Sequence, residues 1–124
     1  MPKVLVIDDN LEILKLYGYI LSFEGFEVLT ADNGKDGLNL AINGSPDLIL
    51  LDVVMPEMDG VETARCLSQN ERTNKIPLVF LTCLVSEEEM LRHGGQIGGK
   101  LYISKASEKD EFIAKVKEAL ERPR

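Results

Sequence analysis

Short apolar runs and helix-length amphipathic stretches alternate along this chain from one end to the other. Val4-Leu5-Val6-Ile7 is a continuous, mostly β-branched run stopped by Asp8-Asp9. Such runs suit a strand buried on both faces, as in a parallel sheet. From about Asn10 to Glu24, Ile13, Leu16, Tyr17, Ile20 and Leu21 recur at helical spacing and define one inward face, with Gly25 placed to close the helix. Phe26 to Ala31 reads as a second strand. Leu38, Ala41 and Ile42 mark a short helix that Gly44-Ser45-Pro46 ends. Leu48-Ile49-Leu50-Leu51 is a third buried strand, stopped by Asp52. A helix follows from about Asp59 to Asn70, with Val61, Ala64 and Leu67 inward. Pro77 to Leu81 is a fourth strand, ending at Thr82. Ser86-Glu87-Glu88-Glu89 has the Ser-x-x-Glu pattern of a capping box and predicts a fourth helix. Leu101-Tyr102-Ile103 is a short fifth strand. A last helix opens near Ser107, with Phe112, Val116, Ala119 and Leu120 inward. Strands and helices in strict alternation predict βαβ units, hence an α/β fold with a parallel sheet covered on both sides.

Length and composition add limits. The chain has 124 residues, 44% of them hydrophobic, which suits one domain over 1–124 with a core that needs no staples. Fourteen basic against 21 acidic residues give a net charge of −7. That balance argues against direct nucleic-acid or anionic-membrane binding, which requires a basic face. Cys66 and Cys83 follow no metal-ligand spacing and are too few for a disulfide framework, so a reduced, cytoplasmic setting is expected. The apolar segment that follows Met1-Pro2-Lys3 is too short for a signal peptide, and no run is long enough to span a bilayer.

The polar residues carry the functional signal. Asp8 and Asp9 end the first strand, Asp52 the third and Thr82 the fourth, while Lys105 lies just past the fifth. In an open parallel sheet the crevice outside the carboxyl ends of the strands is where ligands bind. Five polar residues far apart in sequence are thus predicted to meet at one edge. Three converging carboxylates call for a counter-ion, and their hardness and number suit Mg²⁺. An aspartate on Mg²⁺ is also a competent nucleophile toward phosphorus. Lys105 is placed to neutralise charge on a transferred phosphoryl group and the Thr82 hydroxyl to donate to one of its oxygens, the kind of positioning that phosphoryl transfer asks of a protein.

The same residues carry a family resemblance. Asp8-Asp9, the run Asp52-Val53-Val54-Met55-Pro56-Glu57-Met58-Asp59-Gly60, Leu81-Thr82 and Tyr102-Ile103-Ser104-Lys105 are similar to the motifs of a two-component response-regulator receiver domain, over essentially the full chain. The resemblance implies a doubly wound (βα)5 flavodoxin-like three-layer sandwich with strand order 2-1-3-4-5. It implies that Asp52 is the phosphoacceptor, and that Asp8, Asp9, Asp52 and the backbone carbonyl of Val54 hold Mg²⁺. Lys105 would pair with the phosphoryl group. Thr82 would move toward it and Tyr102 would turn inward behind it, reshaping the surface formed by the helix from Ser86, the fifth strand and the last helix. The implied donor is a phosphohistidine on a sensor histidine kinase or histidine phosphotransfer protein. The implied reader is a downstream effector protein or a covalently linked output domain. Such a domain catalyses only its own phosphorylation and dephosphorylation and is not an enzyme in the ordinary sense.

Three departures from the family pattern stand out. Lys105 is followed by Ala106 where proline is usual. Because a non-proline cis bond costs about 2.5–4 kcal/mol, a trans bond is expected there. Cys83 replaces a smaller residue beside Thr82. The stretch His93-Gly94-Gly95-Gln96-Ile97-Gly98-Gly99 predicts a short or frayed fourth helix. Leu11 and Leu14 lie off the inward face defined by Ile13, Leu16 and Ile20, so they are expected to show apolar surface beside the acidic pair, where a phosphodonor protein docks in this family. Loops covering both leucines are the alternative. Two other functional readings remain: a pseudo-receiver that binds partners without phosphorylation, against which the intact acidic, threonine and lysine set argues, and an aspartate-based phosphatase. The latter normally needs a second acid two residues after the nucleophile, where this chain has Val54.

Overall fold

The structure, a computed structural model, describes residues 2–52, 60–82, 101–104 and 108–121. The apolar runs form strands β1 (Lys3–Ile7), β2 (Glu27–Ala31), β3 (Leu48–Asp52), β4 (Leu78–Thr82) and β5 (Leu101–Ser104). All neighbouring strands pair in parallel, in the order β2-β1-β3-β4-β5. The amphipathic stretches form helices α1 (Leu11–Phe23), α2 (Gly34–Gly44), α3 (Gly60–Gln69) and α4 (Lys109–Glu121). The helix predicted from Ser86, the glycine-rich His93–Gly99 stretch, Cys83 and the Lys105–Ala106 bond lie outside the described residues. The strand order and parallel pairing are those expected of the doubly wound fold.

Strand side chains alternate between two core layers, because successive Cβ atoms point to opposite faces of a sheet. Val4, Val6, Leu48, Leu50, Val79, Leu81 and Ile103 join Leu14, Tyr17 and Leu21 of α1 and Phe112, Ile113, Val116 and Ala119 of α4. Leu5, Ile7, Ile49, Leu51, Leu78 and Phe80 join Ala41 of α2 and Leu67 of α3 on the other face. With helices on both faces, β3 has no position open to water: Leu48 through Asp52 are all buried. The stacked rings of Tyr17 and Phe112, 4.5 Å between centroids, tie α1 to α4.

The inward face of α1 differs from the expected one. Leu14 is buried and Leu16 is exposed, while Ile13 and Ile20 are half-buried against the core. The helix begins at the cap Asn10, whose side-chain oxygen accepts from the backbone N–H groups of Glu12 and Ile13. It ends in a Schellman arrangement. Phe26 N–H donates to the Leu21 carbonyl at 3.0 Å and Gly25 N–H to the Ser22 carbonyl at 3.0 Å, with Gly25 at φ 95°.

Gly37 marks the close approach of α2 to the sheet. A Cβ there would overlap Ile7 Cδ1 and come within 2.8 Å of Ile7 Cγ1. Gly37→Ala is therefore expected to lower the urea midpoint even though alanine is the better helix former: overpacking costs about 1–3 kcal/mol against a propensity gain of about 1 kcal/mol. Gly18→Ala on α1 is the matched control. Its Cβ would meet Val28 Cγ1 at an ordinary 3.9 Å, so the propensity gain should appear alone as a raised midpoint. Equal shifts in the two variants would contradict this packing.

Candidate functional site

The strand order places β1 and β3 side by side, with the connection from β1 leading to one edge of the sheet and that from β3 to the other. That reversal opens a crevice at the carboxyl ends of the two strands. The β1–β3 register runs Val4 with Leu48 through Ile7 with Leu51, so one further step sets Asp8 beside Asp52. Both share the strand parity of Val6 and Leu50 and lie on the face covered by α1 and α4. Asp8 is fully buried and Asp52 is 5% exposed, whereas Asp9, the next residue outward, is exposed. One carboxylate oxygen from each of Asp8, Asp9 and Asp52 lies within 4.8 Å of the other two.

Local backbone chemistry holds the buried member in place. Asp8 N–H donates to the Ala31 carbonyl at 3.1 Å, extending the β1–β2 ladder past the strand end. Asp8 Oδ1 accepts from Asn10 N–H at 2.9 Å, and Asn10 in turn caps α1. Asn10 is thus a positioning residue that the sequence reading did not single out. Its signal was an Asn immediately before a periodic apolar stretch. Three hard oxygen donors so close together, two of them buried, repel one another in the absence of positive charge. A small divalent cation of the Mg²⁺ type fits this donor set, since it takes one or two carboxylates directly and completes its shell with waters and substrate oxygens.

The other expected site residues divide. Thr82 ends β4 at the same edge of the sheet, with Ser104 as its register partner on β5, and Tyr102 pairs in register with Phe80. Val54 and Lys105 lie outside the described residues. Leu11 and Leu14 line a cleft of about 530 Å³ between α1 and the start of α2, together with Asp32 and Asp36. Leu11 is exposed there, but Leu14 is only 7% exposed, which corrects the expectation that it lies off the inward face. No helix among the described residues is long and apolar enough to cross a membrane.

The comparisons with known proteins agree with this geometry. A family model for the response regulator receiver domain matches residues 4–117. The DNA-binding dual master transcriptional regulator RpaA of Synechocystis sp. is 35% identical over 122 residues, 98% of this chain and 50% of that protein. The polar-differentiation response regulator DivK of Brucella anthropi is 34% identical over 123 residues, covering 97% of this chain and 98% of that protein. The chain therefore spans about half the length of the first of these relatives and nearly all of the second. Among solved structures, a putative response regulator from Chloroflexus aurantiacus superposes with a TM-score of 0.85 at 26% identity, covering 98% of this chain and all of that one. The chemotaxis protein CheY4 of Vibrio cholerae gives a TM-score of 0.84 at 28% identity, covering 96% of this chain and 98% of that one. With the match extending over most of its length, from β1 into α4, this chain belongs to the response regulator receiver domain family of two-component signalling systems.

Proposed function

We propose that this domain accepts a phosphoryl group on Asp52 in a Mg²⁺-dependent reaction and passes the signal on through a changed protein-binding surface. The observation that carries the reading is the buried Asp8–Asp52 pair with Asp9 at its mouth, all three carboxylates within 4.8 Å. An Asp52 oxygen attacks the phosphorus of a phosphohistidine donor. An O–P bond forms as the P–N bond breaks, and the departing imidazole nitrogen keeps the electron pair and takes up a proton. When bound, Mg²⁺ offsets the negative charge of the carboxylates and of the phosphoryl oxygens. Asp8 and Asp9 would hold it with Asp52 and the carbonyl of Val54, one of the acidic pair through water. Lys105 would pair with the phosphoryl group, Thr82 would donate a hydrogen bond to it, and Tyr102 would follow Thr82 inward. Attack of water on the same phosphorus restores the Asp52 carboxylate, so the domain catalyses only its own phosphorylation and dephosphorylation.

The donor is a histidine kinase or phosphotransfer protein and the reader a downstream effector or linked output domain, in a cytoplasmic setting. Docking of the donor on the α1 end of the cleft that Leu11 and Leu14 line is part of this proposal.

The test is intact mass after incubation with phosphoramidate. One phosphoryl group per chain is expected with Mg²⁺ and none with EDTA. No modification from a small donor or from a histidine phosphotransfer protein would move the assignment to a phosphorylation-independent pseudo-receiver. Steady turnover of phosphate esters would indicate a phosphatase. Metal binding has its own readout: Mg²⁺ at about 20 times its dissociation constant should stabilise the fold by about 1.8 kcal/mol, seen as a rise in melting temperature. No rise, or an equal rise in a chain with Asp8→Ala and Asp9→Ala, would exclude this metal site.

A further inference from the structure

Large exposed apolar side chains are not scattered across the described residues. Among the described residues they are Leu11, Leu16, Tyr19 and Phe23, and all four belong to α1. Leu16, Tyr19 and Phe23 follow one another at i, i+3 and i+7, so they form a single stripe along the outer side of the helix. Tyr19 and Phe23 are each 71% exposed, although aromatic rings carry large apolar surfaces that are usually buried. The stripe is preorganised: the two rings stack with centroids 6.4 Å apart, and Lys109 Nζ of α4 lies 5.2 Å from the centroid of Phe23. A rigid apolar stripe of this kind marks an interaction surface.

The charges beside the stripe identify the occupant. Glu12 lies two turns before Tyr19 and Lys15 one turn before it, both exposed. Phe23 lies one turn after Tyr19, followed by Glu24, with Lys109 and Lys117 of α4 next to them; Lys117 Nζ is 3.7 Å from Glu24. Consider a second copy laid antiparallel about a two-fold axis at Tyr19. Lys15 of each copy then falls beside Phe23 and Glu24 of the other, giving a cation–π contact and an opposite-charge pair. Glu12 of each falls beside the Lys109 and Lys117 end of the other. A parallel arrangement would instead set Lys15 against Lys15 and Glu12 against Glu12. The antiparallel alignment also opposes the two helix dipoles favourably.

We propose that the α1 stripe Leu16–Tyr19–Phe23 is a self-complementary surface on which two copies of this chain associate as an antiparallel, two-fold dimer. The interface is isologous, so each substitution acts twice. It is formed without Asp52 and leaves Leu11 and Leu14 outside the stripe.

Sedimentation equilibrium of the whole chain tests this, over roughly 10 µM to 1 mM, the range in which a weak interface is populated. The weight-average mass should rise from one chain toward two. Phe23→Glu should remove the rise, while circular dichroism stays unchanged because the side chain is exposed. Lys15→Glu and Glu24→Lys should each weaken association about five-fold, since each disturbs two symmetry-related exposed pairs. Combining them in one chain exchanges the charges and should restore most of the loss. A mass that stays at one chain throughout overturns the proposal and leaves the stripe to another partner. A dimer indifferent to Phe23→Glu, or single charge variants that the double variant fails to rescue, overturns the site or its antiparallel register.

Discussion

Asp52→Asn is expected to accept no phosphoryl group and, in Mg²⁺-free buffer, to melt at a higher temperature than the parent chain. The chemical half follows from the nucleophile, because an amide oxygen lacks the charge that a carboxylate brings to phosphorus. The stability half follows from crowding. Like charges within 4.8 Å of one another, in an environment of effective dielectric about 20, repel by about 3 kcal/mol before other partners offset it. Asp9 is exposed, so its share is largely screened; the buried Asp8 and Asp52 supply most of the repulsion, which their other contacts offset in part. Removing one charge at nearly constant shape should recover about 1–2 kcal/mol, which moves the melting temperature of a domain this size by about 5 °C. Differential scanning calorimetry in EDTA measures it. Added Mg²⁺ should then narrow the gap, because the parent chain keeps a ligand that the variant has lost. A variant that melts at or below the parent temperature in EDTA would show that the three carboxylates are not in conflict, and the case for a cation site would weaken with it.

Phe80→Ala is expected to have the largest effect on stability. Phe80 is fully buried on β4, in the core layer that Ile7, Leu51 and Leu67 complete beneath α2 and α3. Its strand is flanked by β3 and β5, so neither side can close over a void without breaking a ladder. Truncating a phenylalanine in such a place costs about 3–5 kcal/mol. That is a large fraction of the roughly 5–15 kcal/mol that holds a domain of this kind together. Urea denaturation should show the midpoint falling steeply with an unchanged slope. Phe23→Ala is the contrast: it removes the same atoms from an exposed helix face, so its effect should stay within about 0.5 kcal/mol in dilute solution. A small loss at Phe80 would mean that the α2–α3 face of the sheet relaxes far more than close packing allows.

Much of the fold was legible in the primary structure because a parallel sheet covered on both faces leaves a plain trace. Val4 to Ile7, Leu48 to Leu51 and Leu78 to Leu81 are uninterrupted apolar runs, since neither face of their strands meets water. Each of these runs gives way to a polar residue at its carboxyl end, which places Asp8, Asp52 and Thr82 at one edge of the sheet. The structure adds how near the acidic groups come, and it finds Asn10 bracing Asp8.

The face of α1 was not legible, and the reason is physical. Leu11, Ile13, Leu14, Leu16, Tyr17, Tyr19, Ile20, Leu21 and Phe23 put apolar residues around most of the helix, more than one inward face can bury. Periodicity alone then admits two phases, and the one that turns Leu16 inward and Leu14 outward is not the one adopted. The choice came from packing. Tyr17 stacks on Phe112 of α4, a residue far along the chain, and that contact rotates Leu14 into the core while turning Leu16, Tyr19 and Phe23 to solvent. By itself, then, the sequence determined the order of the described elements, the sheet and the polar residues at its carboxyl edge, because those depend on local patterning and on where each strand stops. Only the tertiary structure decided which side of α1 stays outside, because that depends on a partner helix 95 positions away (Tyr17 to Phe112) whose approach no local pattern encodes.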